Sequence, residues 1–135
     1  MRKRCCRWRW ICLEESYKTM RNIESRIQRD CVLWMRLQWP QYFPVFFSVP
    51  NGGNRDVITG AILKAEGAKA GVSDLILLTP RQGYSSLCIE MKQPKGKQSD
   101  AQKAFQEAVQ KHGNKYVVCH SLEEFQQEIN QYLRQ

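Results

Sequence analysis

Ile89-Glu90-Met91-Lys92, read together with Gly71-Val72-Ser73-Asp74 upstream, governs how the rest of this chain is read. Leu87-Cys88-Ile89-Glu90-Met91 has the apolar clustering of a strand, and the Arg81-Gln82-Gly83-Tyr84 stretch before it is turn-forming. Side chains alternate along a strand, so Glu90 and Lys92 project from one face. Asp74 opens a second short apolar run, Leu75-Ile76-Leu77-Leu78. A hairpin joining the two runs sets Asp74 beside Glu90, so that two carboxylates and a lysine share one surface. A hard divalent cation is the natural third party there.

The 135 residues fit one domain large enough to bury a core, and 42% hydrophobic with 25% charged residues is ordinary for a soluble globular chain. The net charge of +8 points to a polyanionic partner, most simply nucleic acid. Arg2, Lys3, Arg4, Arg7 and Arg9 supply five of those charges, which leaves +3 for the remainder. Residues 1–21 read as a basic leader without fixed structure, or alternatively as an arm whose tryptophans stack on bases; residues 22–135 read as the folded domain. Arg7 and Arg9 interrupt Trp8, Trp10 and Ile11, so no secretory h-region forms. No apolar run approaches the roughly 20 residues of a membrane span, so a cytosolic protein with no membrane partner is expected. The six cysteines contain no CxxC pair, and His112 and His120 complete no zinc pattern. Cys31, Cys88 and Cys119 fall inside apolar periodic runs and read as small hydrophobes.

Taken in order, Asn22 to about Trp39 is helical: Ile23, Ile27, Cys31, Trp34 and Met35 form one apolar stripe, with Glu24 and Gln28 at its edge. Pro40 ends this helix. Phe43 to Val49 reads as a strand, with Pro44 marking an edge, and Pro50-Asn51-Gly52-Gly53 as a turn. Asp56 to Glu66 reads as a helix with Ile58, Ala61, Ile62 and Ala65 inward, closed by Gly67. After the hairpin, Ser99-Asp100-Ala101-Gln102 matches a capping box, and Phe105, Val109 and His112 share one side of the helix that follows. Lys115 to Cys119 is a strand. Ser121-Leu122-Glu123-Glu124 opens a last helix with Leu122, Phe125, Ile129, Tyr132 and Leu133 inward. The order α-β-α-β-β-α-β-α predicts an α/β fold, a small mixed sheet flanked by helices.

These residues suit phosphodiester hydrolysis. Oxygen ligands from Asp74 and Glu90, with the Met91 backbone carbonyl as a third, suit Mg²⁺ or Mn²⁺. Lys92 is a compact charge able to orient water or steady a phosphoryl oxygen. Spacing alone also fits an ordinary ion pair at a solvated strand end. No P-loop pattern and no Cys/His nucleophile arrangement is present.

Three stretches together are more specific: Val49-Pro50-Asn51-Gly52-Gly53-Asn54-Arg55, Leu63-Lys64-Ala65-Glu66-Gly67-Ala68-Lys69-Ala70-Gly71-Val72-Ser73-Asp74, and Ile89-Glu90-Met91-Lys92. In that order and at those intervals they closely resemble the VRR-NUC family, virus-type replication-repair nucleases of the PD-(D/E)XK superfamily. The similarity runs from about Asn22 to the C-terminus and implies a restriction-endonuclease-like core. It implies that Asp74 is the acid of the PD motif and that Glu90 and Lys92 belong to the (D/E)XK motif. Glu24 corresponds to a first-helix acid approaching the metal, and Gln102 to a glutamine that orders the site. Ser73 stands where the family has proline, which removes no ligand. By the same resemblance a Mg²⁺- or Mn²⁺-dependent homodimer acting on branched DNA in phage or bacteria is expected. Arg55, Lys64, Lys69, Lys95 and Lys97 would contact the DNA backbone. A binding module without catalysis and a sequence-specific restriction-like endonuclease are the alternatives.

Overall fold

The structure, a computed structural model, describes residues 23–50 and 56–134. Helix α1 (Ile23–Gln38) leads into a 3₁₀ turn (Phe43–Val45) and strand β1 (Phe46–Ser48); α2 (Val57–Ala65), β2 (Leu75–Leu77), β3 (Leu87–Met91), α3 (Asp100–Lys111), β4 (Lys115–Cys119) and α4 (Leu122–Leu133) follow. The α/β order is the expected one. The sheet runs β1-β2-β3-β4. The first three strands are antiparallel and β4 joins β3 in parallel. That parallel pair needs a crossover, and α3 supplies it.

The β2–β3 connection is closed by reciprocal backbone bonds between Arg81 and Tyr84, at 3.1 and 2.8 Å. Both central residues, Gln82 and Gly83, have positive φ (54° and 81°), the geometry of a two-residue type I′ turn.

Strand periodicity divides the side chains of β3 cleanly. Leu87, Ile89 and Met91 join the core with Leu75, Leu77, Cys119 and residues of α1 and α4. Cys88 and Glu90 therefore face the opposite side, which α3 partly covers. In α4, Phe125, Ile129 and Tyr132 are fully buried and Leu133 nearly so, as the stripe predicted. Each contributes about 1.5–3 kcal/mol by leaving water. Trp34 of α1 meets Phe125 edge to face, with ring centroids 6.0 Å apart. Burial pushes the Cys31 and Cys119 thiols up to about 12, which suits inert core residues.

Two expectations are corrected. The strand anticipated over Phe43–Val49 is confined to Phe46–Ser48. Pro44 lacks an N–H for the ladder, and the preceding segment closes instead as a 3₁₀ turn with Val45 N–H bonded to Tyr42. Helix α2 is well capped, with the Asp56 carboxylate accepting from Thr59 N–H at 2.6 Å, but its apolar stripe is not inward. Ile58 is 73% and Ile62 53% exposed, and Ala61 and Ala65 are exposed too. His112, on the same side of α3 as Phe105 and Val109, is exposed, its ring bonded to the Ala108 carbonyl.

Candidate functional site

The β2–β3 register pairs Leu75 with Ile89, and one further step along the ladder sets Asp74 opposite Glu90. Asp74 is held there twice. Its carboxylate Oδ2 accepts from the Met91 backbone N–H at 2.8 Å, and its carbonyl accepts from Val49 N–H at 2.9 Å. Glu90 is fully buried on the α3 side of the sheet. Lys92, two residues on, lies on the same face with Nζ 3.1 Å from Glu90 Oε1. The expected meeting of two carboxylates and a lysine is thus present in the fold.

Gln102 joins them through the helix start. Its Oε1 accepts from Ser99 N–H at 2.8 Å while Ser99 Oγ accepts from Gln102 N–H at 3.2 Å, a complete capping box. The other end of the same amide donates to Glu90 Oε1. Gly71 makes this approach possible. It has φ +80°, and a Cβ there would overlap the Ala101 carbonyl group and lie 2.8 Å from Gln102 N. The turn that delivers Asp74 and the helix that delivers Gln102 touch backbone to backbone.

Tyr116 was not singled out from the sequence. It lies on β4, 6% exposed, and its hydroxyl donates to Glu90 Oε2 at 3.3 Å. Gln98 Nε2 donates to that hydroxyl at 3.4 Å and to Gln106 at 3.0 Å. Every Glu90 oxygen thus has a protein donor. Burial, then the Asp74 charge, still push the Glu90 carboxyl up from 4.5 to about 7, against the opposing pull of Lys92 and Tyr116. Two carboxylates this close hold negative charge uncomfortably.

Glu24, half-buried on the first turn of α1, lines the same groove as Asp74, a space of about 540 Å³. Among the described residues no three His, Cys, Asp or Glu side chains converge as a metal-ligand cluster. Asp74 and Glu90 are nonetheless hard oxygen donors with excess negative charge. Mg²⁺ is commonly held by one or two carboxylates, its shell completed by water and substrate phosphate, so the donor set fits that ion. Lys64 and Lys69 line a second groove with Val49 and Gly71. Lys95 and Lys97 are exposed in the turn after Lys92, where His120 Nε2 lies 3.2 Å from the Gly96 carbonyl. Arg55 and residues 1–21 lie outside the described residues. Ser73, immediately before Asp74, is fully buried.

Residues 14–123 match the model of the VRR-NUC domain. The chain belongs to the VRR-NUC family. A solved structure described as a VRR_NUC domain protein is similar to it at 27% identity and a TM-score of 0.73, over 84% of this chain and 89% of the other. A search of curated proteins returned no match. VRR-NUC membership carries a nuclease-type function, that of a hydrolase. No helix among the described residues of this VRR-NUC chain is long and apolar enough to cross a membrane.

Proposed function

We propose that this VRR-NUC protein is a Mg²⁺- or Mn²⁺-dependent deoxyribonuclease acting on branched DNA, such as four-way junctions, in replication and repair of a bacterium or phage. The observation that carries the reading is the register that sets Asp74 opposite Glu90 with Lys92 on the same face. Asp74, Glu90 and the Met91 carbonyl would hold the cation, with Glu24 assisting from across the groove. When bound, that cation supplies Lewis acidity toward water and the phosphoryl oxygens. The side chains do the rest. Gln102 and Tyr116 fix both Glu90 oxygens, and the Met91 N–H fixes Asp74. Lys92, charged and largely enclosed, can orient the attacking water or offset charge on a non-bridging phosphate oxygen. Arg55, Lys64, Lys69, Lys95 and Lys97 would track the DNA backbone.

Linear, flap and four-way-junction DNA should be incubated with the protein in Mg²⁺ or Mn²⁺ and, in parallel, in EDTA. Cleavage of the branched substrates with either metal and none in EDTA is expected. Binding of DNA without cleavage under any metal would instead establish a non-catalytic binding module, and cuts at a fixed base sequence a restriction-like enzyme.

Tyr116→Phe tests the oxygen-by-oxygen account of Glu90. Groups that orient metal ligands are typically worth 10- to 100-fold in metal affinity. Mn²⁺ affinity, read by electron paramagnetic resonance on free ion, should fall about tenfold, with thermal stability changing by no more than about 1 kcal/mol. Unchanged affinity would show that the hydroxyl does not position the carboxylate.

A homodimer belongs to the same reading, and α2 supports it. Val57, Ile58 and Ile62 leave 90%, 73% and 53% of their surface exposed. A two-fold axis would cover this stripe with its own copy. Light scattering should give twice the 15.9 kDa chain mass. It should give the single mass for Ile58→Glu/Ile62→Glu; a dimeric double variant would move the interface elsewhere.

A further inference from the structure

The groove that ends at Asp74 has an opposite end that the proposed chemistry does not use. Its floor is α1, and its far wall is the segment from Phe43 to Ser48. The chain reverses at Trp39–Tyr42, where Trp39 N–H bonds to Met35 and Tyr42 N–H to Trp39. Phe43 therefore lies toward the C-terminal end of α1, and Ser48 and Asp74 toward Glu24. The groove thus has an acidic end at Glu24 and Asp74, and a basic stretch formed by Arg29 and Arg36.

The two arginines are seven positions apart, about two helical turns, so they project within about 20° of each other and sit about 10 Å apart along the axis. Both are exposed. Neither has an ion pair or hydrogen bond among the described residues, so both guanidinium groups are available to an anionic ligand. Between them lie Val32 and Leu33, the latter 55% exposed, facing the half-buried Phe43. Along this concave wall the two guanidinium groups bracket apolar side chains. A polymer with regularly spaced anionic groups and flat apolar faces would match it.

We propose that this groove binds one strand of the nucleic-acid substrate, Arg29 and Arg36 each taking a backbone phosphate and Leu33 and Phe43 meeting the sugars and bases between them. The inference rests on the nuclease reading and adds the path of the substrate. The strand enters past Arg36, follows α1 toward its N-terminus, and presents its scissile phosphate between Glu24 and Asp74. About 10 Å apart along the axis, the two guanidinium groups can each meet a different phosphate of the same strand. Guanidinium suits the role, since its fork can donate two parallel hydrogen bonds to one phosphate.

The test is anisotropy of a labelled 20-nucleotide single strand, and of the same sequence as a duplex, titrated with full-length protein in EDTA from 50 to 200 mM salt. Each phosphate contact contributes about 0.7 (single strand) to 0.9 (duplex) to the slope of log affinity against log salt. Arg29→Gln/Arg36→Gln should flatten that slope by about 1.4 on the single strand and weaken binding at least tenfold, with an unchanged melting temperature. Lys111→Gln/Arg134→Gln removes the same charge from the C-terminal ends of α3 and α4, neither of which lines the groove, and should change the slope by less than a third as much. Arg29→Lys/Arg36→Lys should restore the slope. Cleavage by the glutamine pair should show a raised KM with kcat within about threefold. If wild type binds and cuts DNA while the glutamine pair matches either wild type or the control pair, the strand path is wrong and the nuclease reading stands. Flattening on duplex but not on single strand overturns the one-strand assignment. A wild type that neither binds nor cuts overturns both.

Discussion

Glu90→Gln should abolish cleavage yet leave the metal-free protein more stable than wild type above about pH 7. The Glu90 carboxyl ionises near 7 in the folded chain and near 4.5 when solvated. Between those values the folded state holds a proton that the unfolded state has released. Stability therefore falls as pH rises through that window and stays low beyond it. A displacement of that size corresponds to roughly 3 kcal/mol. Glutamine mimics the protonated carboxyl at every pH, so its urea-unfolding free energy should be flat from pH 5 to 8 where the wild type's declines. Losing the Lys92 ion pair acts in the opposite direction. The raised ionisation already contains that attraction, and burial with Asp74 outweighs it. Lys92→Ala should be the mirror image: cleavage lost, and stability at pH 8 reduced, because Glu90 then faces Asp74 without a cation. Saturating Mg²⁺ should restore stability to wild type and to neither variant in full. Both variants should lose at least a thousandfold in cleavage rate, in keeping with the removal of preorganised charge. Wild-type cleavage by either would move the reaction away from this strand. A Glu90→Gln protein less stable than wild type at pH 8 would show that the ion pair outweighs the burial of Glu90 and its repulsion by Asp74.

The second large effect is expected at Gly71→Ala. At φ +80° any side chain costs about 1–2 kcal/mol, and here the added methyl also meets the Ala101 carbonyl group. Backbone cannot swing aside as a side chain does, so the first turn of α3 must shift. A loss of about 3 kcal/mol or more is expected, roughly 10 °C in Tm for a chain of this size. Cleavage should fall at least tenfold even at temperatures where the variant is fully folded, since Gln102 moves with that turn. A variant within 2 °C and twofold of wild type would show that α3 and the Gly71 turn are not in register.

Most of the frame was legible from local signals. Asp74 and Glu90 could be paired because a hairpin's register follows from its turn, and α4 because its stripe is long and uninterrupted. Helix α2 shows where such signals end. The spacing of Ile58, Ala61, Ile62 and Ala65 reports an apolar face but carries no information about what covers it. Tyr116 was out of reach for a different reason. It stands 26 residues beyond Glu90 on a parallel strand, and it faces Glu90 only because α3 crosses over with one particular register. Phe43–Val45 failed locally: aromatic and β-branched residues favour strands, but Pro44 vetoes a ladder bond.

The amide of Gln102 has both its ends committed, one to starting a helix and one to Glu90. In an ordinary capping box glutamate and glutamine are interchangeable. Here glutamate would keep the helix start and place a third negative charge on Glu90. Lysine would satisfy Glu90 and leave the Ser99 N–H unmet, and asparagine is one methylene too short for either. The position therefore admits a single side chain, and in related sequences a change there should travel with a change at Glu90, two residues twelve positions apart behaving as one inherited unit.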